Sequence, residues 1–531
     1  MRAALFFPLF IGFLTSSAQT DRIEILGVDQ LEFDDSIAPG AQRLLGNARF
    51  KHADAIMTCD SAYIYEDQSV KAFGHVTISQ GDTLRITGHR LDYLGKDRRA
   101  SIQGKGDLHG TGVLLTNPDM QLTTDALVYE LRSRTAVYSN GGTIISTKEN
   151  NTLTSRRGLY MAGERAFLFS DSVVLKHPER TIASDTLRYE TANGIARFFG
   201  PTTITQKDGS TVFCNEGWYD TRKDLARFGR GARLVSRAQE ITGDSIRYDR
   251  KAGIGEAFGN VTISDTTNDM LVRGDRAWYD EGHDKSIVTG RAEMVMMISG
   301  DSLFLHGDSL VATTDTLRAH STDTSSTGEG RAEARLIRAF HGVRFFKSDL
   351  QGACDSLVYA GTDSVIHMFR APVLWSGKDQ ITGDSVQIAL RDGKAHRLFV
   401  RGNAFMASQA DSVHYDQVAG RTLTGYFSEN ELRTVVAEGN SRTVYFAKEK
   451  KDGEERIMGM NTADCSRIDV AISSDTSGQT KVHTVSFITQ PDAVLWPLGK
   501  APADQQVLPG FLWRGGERPV RREAIFESAV D

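Results

Sequence analysis

The chain has 531 residues, a formal net charge of -6, 40% hydrophobic and 24% charged residues, and only four Cys. That length exceeds one hydrophobic core, and the apolar content excludes a disordered chain. Four Cys exclude a disulfide-built scaffold, and the lack of a net basic surface argues against nucleic acid as a partner. The first element in the chain is a targeting segment. Arg2 precedes an apolar run from Ala3 to Leu14, and Ser16-Ser17-Ala18 supplies small residues for signal peptidase. Residues 1–18 therefore read as a signal peptide cleaved after Ala18. The run is shorter than a span of ~30 Å of hydrocarbon requires, so the mature protein is expected to be exported and soluble.

From residue 29 onward one short pattern recurs: Asp, any, small or aliphatic, any, Tyr. It stands as Asp125-Ala-Leu-Val-Tyr129, Asp185-Thr-Leu-Arg-Tyr189, Asp244-Ser-Ile-Arg-Tyr248, Asp275-Arg-Ala-Trp-Tyr279, Asp355-Ser-Leu-Val-Tyr359 and Asp411-Ser-Val-His-Tyr415. Looser copies end at Phe33, Ile64, Tyr93, Tyr160, Tyr219, Ala312 and Ile388. Most copies lie 27 to 36 residues apart, and one gap is 47. Nine of the thirteen copies end in Tyr although the chain holds only 14, which makes this a repeat array. Between copies runs a second pattern of aromatic or aliphatic, Gly, any, Val or Ala, any, apolar. Examples are Phe73-Gly74-His75-Val76-Thr77-Ile78 and Phe258-Gly259-Asn260-Val261-Thr262-Ile263.

Both patterns have period 2, the signature of strands with one buried face. The expected fold is all-β: a repetitive antiparallel stack of ~30-residue two-strand units. A lone unit cannot bury its apolar side, so units stack. If each unit adds one strand to each of two facing sheets, the space between them is an apolar trough suited to alkyl chains. Its lining, and hence the candidate lipid-binding set, is Val76, Ile78, Leu91, Leu127, Val173, Leu175, Leu187, Ile246, Val261 and Ile263. The expected organisation is a repeat region at 19–312, an inserted polar loop at 313–334, a second repeat region at 335–427, a β region at 428–490 and an irregular tail at 491–531.

The anchor Asp reads as a turn-shaping residue accepting backbone hydrogen bonds, with calcium binding as its rival. The Tyr column reads as a stacked ladder, with contact to sugars or lipid headgroups as the sharper alternative. Cys59, Cys214 and Cys354 each precede an anchor, where other units carry small residues, and disulfides among them are not expected. No metal-ligand spacing, nucleophile motif or phosphate loop is present, so no catalytic residue, metal or cofactor is assigned.

The segments Gly46-Asn-Ala-Arg-Phe50, Gly74-His-Val-Thr-Ile78 and Gly259-Asn-Val-Thr-Ile263, followed by anchors such as Cys59-Asp-Ser-Ala-Tyr63, resemble the OstA-like (organic solvent tolerance) family. So do Asp349 to Tyr359, Gln380 to Ser385 and Tyr415 to Phe427. The resemblance implies a β-jelly-roll stack in the periplasm that carries or bridges lipopolysaccharide, or a related lipid, toward the outer membrane without catalysis. It implies other transport proteins at the inner and outer membranes as partners. The exposed ends of a sheet stack add end-to-end self-association. Two alternatives stay open: a parallel β-helix that binds or cleaves polysaccharide, and a structural scaffold.

Overall fold

The computed structural model describes residues 22–527 except 34, 37–38, 83, 107–111, 149, 237–238, 267–268, 299, 315–334, 361–363, 392–393, 429–430, 452–453, 475–479 and 498. The expected signal peptide, residues 1–18, and nearly all of the expected inserted loop at 313–334 lie outside these residues. The described residues form 38 strands, three short 3-10 turns and no α-helix. The registered strand pairs are antiparallel throughout, for example Ala41–His52 on Ala55–Tyr65 and Gln239–Asp249 on Ile254–Asp265. A parallel β-helix is therefore ruled out for them. The chain forms two compact units, Met1–Gly209 with Asn215–Arg222, and Ser210–Cys214 with Lys223–Asp531.

In both units the chain makes repeated passes of about eleven residues, and most passes break in the middle. Ser69–Gln80 shows why. Gly74 and His75 have φ of +71° and +40°, and the register slips there against Leu84–Leu94. Consecutive left-handed residues recur at Gly46 and Asn47, Asp171 and Ser172, Gly259 and Asn260, Gly290 and Arg291, and Gly402 and Asn403. Each pair is a corner at which the chain leaves one antiparallel ladder and enters another. Between residues 99 and 161 the corners open fully, and the two ladders separate into discrete strands. Arg99–Gln103, Ala126–Glu130, Thr135–Tyr138 and Arg157–Met161 pair in one ladder. Val113–Asn117, Met120–Thr124, Gly142–Ser146 and Thr152–Ser155 pair in the other. We call the first the tyrosine ladder, because it carries the repeated Tyr, here Tyr129 and Tyr160, and the second the companion ladder.

The corners explain the anchor Asp. Asp29 donates its N–H to the Gly46 carbonyl at 3.0 Å and accepts a hydrogen bond from Asn47 Nδ2 at 2.8 Å. Asp384 does the same with Gly402 and Asn403, at 2.9 and 3.0 Å. A Cβ built on Gly74 would collide with the Asp60 carboxylate, so this position needs Gly for space as well as for φ. The Asp thus has a structural part at the corner, and its Gly partner lies one pass later in the chain.

This geometry differs from one strand per sheet per unit. Each ~30-residue unit is two bent passes, and every pass serves both ladders. The ladders also fold onto each other. His52 and Tyr93 sit five and four residues from their corners, so in a flat sheet they would stand roughly 30 Å apart. Instead His52 Nδ1 lies 2.6 Å from the Tyr93 hydroxyl.

In the second unit the chain beyond Glu454–Ser474 adds Thr480–Ile488 to one ladder and Asp492–Pro497 to the other. Residues 503–527 then run back as a strap with three 3-10 turns, Ala503–Gln505, Gly515–Glu517 and Arg522–Phe526. All four cysteines are free and buried.

Candidate functional site: the interior between the ladders

Over most of the first unit the interior is filled by the protein's own side chains. Val76, Ile78, Leu91, Leu127, Val173 and Leu187 are at most 1% exposed, and Leu175 is buried beside them. Phe167 stacks on Tyr160 and on Phe169, with ring centroids 4.6 and 5.4 Å apart. The open lip, opposite the corners, is closed by the tyrosine column. Tyr93 meets His52, the Tyr129 hydroxyl donates to Gln80 Oε1, and Asn117 Nδ2 donates to the Tyr160 hydroxyl at 3.0 Å. In each pair the Tyr comes from the tyrosine ladder and its partner from the end of a companion strand. Burial raises the pKa of the Tyr129 and Tyr160 phenols, which keeps both as neutral donors or acceptors. The column is a row of cross-lip hydrogen bonds. At the next rung the companion strand Gly142–Ser146 ends in a short side chain. A cavity of about 570 Å³, mouth included, opens there between Ser146, Lys148, Phe167, Phe169 and Tyr189.

The second unit is built differently. Across its first passes Ile241, Ile263 and Val272 form one cross-strand row on the inner face of the companion ladder, and all three are only half-buried. Opposite them the tyrosine ladder carries small residues, Gly255, Ala257 and Ala277. Ile246 and Val261 are buried. The row continues from Val272 to Met294, Leu305 and Phe345. These last three line a cavity of about 670 Å³, mouth included, walled on the other side by Leu357, Tyr359, Ile366, Leu390 and Phe427. Its contacts are apolar except at the rim. There Lys347 Nζ sits 2.6 Å from Asp349 and 3.6 Å from Asp301. Met side chains at 294 and 296 make an adaptable wall.

The ten residues singled out from the pattern therefore fall into two groups. Seven lie in the first unit, six of them at most 1% exposed in its packed interior and Leu175 in the wall of the cavity beside Ser146. Ile246, Val261 and Ile263 lie in the second, and of these Ile263 belongs to the half-open row that leads to the cavity. The pattern did not single out Met294, Met296, Leu303, Leu305 or Phe345. A signal exists in the alternating Glu293-Met-Val-Met-Met-Ile298 and in Leu303-Phe-Leu305.

Buried carboxylates also mark this unit. Burial pushes Asp379 and Asp416 up to about 6, against a hydrogen bond from Ser408 to the former and from the Phe446 N–H to the latter. Burial likewise pushes the Cys59 and Cys354 thiols up to about 12. Among the described residues no three His, Cys, Asp or Glu side chains gather in a group that could hold a metal ion.

Residues 20–185 and 186–272 each match the family model described as OstA-like protein. The sequence matches no curated protein.

Proposed function

From the premise that residues 20–272 are OstA-like, we propose that this protein is a non-catalytic lipid carrier or bridge of the periplasm. It carries lipopolysaccharide, or a related lipid with several acyl chains, toward the outer membrane. The observation that supports this most is the unbroken apolar row from Ile241 through Ile263 and Val272 to Met294, Leu305 and Phe345, half-open at one end and facing a cavity at the other. Acyl chains lie along this row, and the polar head stays at the rim with Lys347. Val261 and Ile246 back the same stretch. Leu175 lines the smaller cavity of the first unit, while Val76, Ile78, Leu91, Leu127, Val173 and Leu187 meet acyl chains only when the two ladders part. The end strands Glu24–Gly27, Gln30–Phe33 and Thr480–Ile488 offer edges for strand pairing with membrane-anchored transport proteins or with a second copy.

Photo-crosslinking in cells from Ile263, Val272 and Leu305 tests the reading, with outward Thr262 as control. Adducts with a lipid at the inward positions and none at Thr262 are expected. Adducts at Thr262 alone would sink it. Mass spectrometry of lipid co-purifying with the mature protein identifies the cargo, and a lipid-free preparation favours a scaffold instead. The closely packed interior over most of the first unit is the feature that favours that second reading.

A further inference from the structure

We propose that the C-terminal strap is a clamp on the cavity of the second unit: by gripping the outer face of the companion ladder, it sets how far the inner wall can open. Alternation places the two faces back to back. On Glu293–Ile298, Met294 and Met296 line the cavity while Glu293 faces the strap. On Asp301–His306, Leu303 and Leu305 line it while Phe304 and His306 face the strap. On Arg335–Phe346, Phe345 lines it while Arg344 donates to the Glu527 carbonyl.

The grip is regular. Gln417 donates to the Gln506 carbonyl at 2.9 Å and accepts from the Leu508 N–H at 2.8 Å. Gln380 repeats this with Leu512 and Arg514, at 2.7 and 2.6 Å. Each Gln thus reads two backbone groups of an extended segment, as a neighbouring strand would. Arg518 Nε then reaches Gln351 at 2.9 Å, and Arg522 holds Glu293 through two contacts of 2.9 Å each while lying over the Phe304 ring. Phe526 closes the run against His306, with ring centroids 4.8 Å apart. Among the described residues beyond Pro497, the strap contributes no strand to either ladder. It can leave without breaking a ladder hydrogen bond, which makes it a separate unit of local opening.

The physiological meaning of the clamp rests on the lipid reading above, but its test does not. Met296→Cys places one half-buried reporter thiol on the cavity wall of the full-length chain. The rate of N-ethylmaleimide labelling is compared with and without Arg518→Ala plus Arg522→Ala. Loosening the clamp should speed labelling by about tenfold or more, as expected for local opening of a wall that has lost charge-assisted contacts. Hydrogen exchange over Ala166–His177 and Arg180–Glu190 should stay unchanged. Glu293→Gln, which keeps the side-chain size, should speed labelling in the same direction by less. Unchanged labelling in both variants overturns the clamp. So does faster labelling accompanied by faster exchange in the first unit, which would report general loosening. Absence of any co-purifying lipid would remove the lipid reading and leave the labelling result to decide the clamp alone.

Discussion

A corner residue has almost no freedom. Gly74 combines a left-handed φ of +71° with the Asp60 carboxylate where a Cβ would go. Gly74→Ala should therefore cost about 2 kcal/mol or more, read as a lower urea midpoint, because strain and collision add. At the opposite extreme, Asp379 is a buried carboxyl held up to about 6 by desolvation. An unfolded Asp releases its proton near pH ~4, so between about pH 4 and 6 the folded state binds more protons. Stability contributed here falls as pH rises through that window. Asp379→Asn should flatten the dependence and raise stability at pH 7.5 by on the order of 2 kcal/mol, measured by thermal melts at both ends of the window. The Asp of the repeat was legible as a residue that shapes a turn. Its partner was not, since Gly and Asp come together only once the ladders exist.

Among elements, the passes were the easiest feature to read. Period-2 segments such as Val261-Thr-Ile263 lie in strands, and the repeat spacing matches two passes. What the pattern hid is that the Gly motif breaks a pass in two instead of separating two strands. Gly reads alike in a turn and in a corner, and only the register slip tells them apart. The tyrosine column was legible as a column but not as a clasp, because its partners, His52, Gln80 and Asn117, share no residue type. Tyr129→Phe should cost about 1–2 kcal/mol, since it leaves the Gln80 carbonyl oxygen buried without its phenol donor. Denaturant melts check this, and the same change at an exposed Tyr, such as Tyr426, should be near neutral.

At the level of the whole molecule, the two units share one construction, and each holds a cavity between its ladders. Large residues such as Phe169, Phe198 and Leu187 pack the interior of the first. In the second, Met294, Leu305 and Phe345 face Leu357 and Tyr359 across a cavity. Where a cavity opens was invisible to a pattern that scores positions as apolar or polar, since Ala and Phe both satisfy it. The cavity depends on side-chain volume summed over strands far apart in sequence, and the strap depends on contacts up to 229 residues apart.

The out-and-back course of the chain has one more consequence. Each pass crosses both ladders and reverses direction, so removing one pass would send everything downstream the wrong way along its neighbours. Removing two restores the direction. The equivalent positions Ile64 and Tyr93 lie 29 residues apart, which is one such double step. Genes for proteins built this way can lengthen or shorten in increments of about 30 codons with the reading of every later corner preserved, whereas half-increments are forbidden by strand polarity alone.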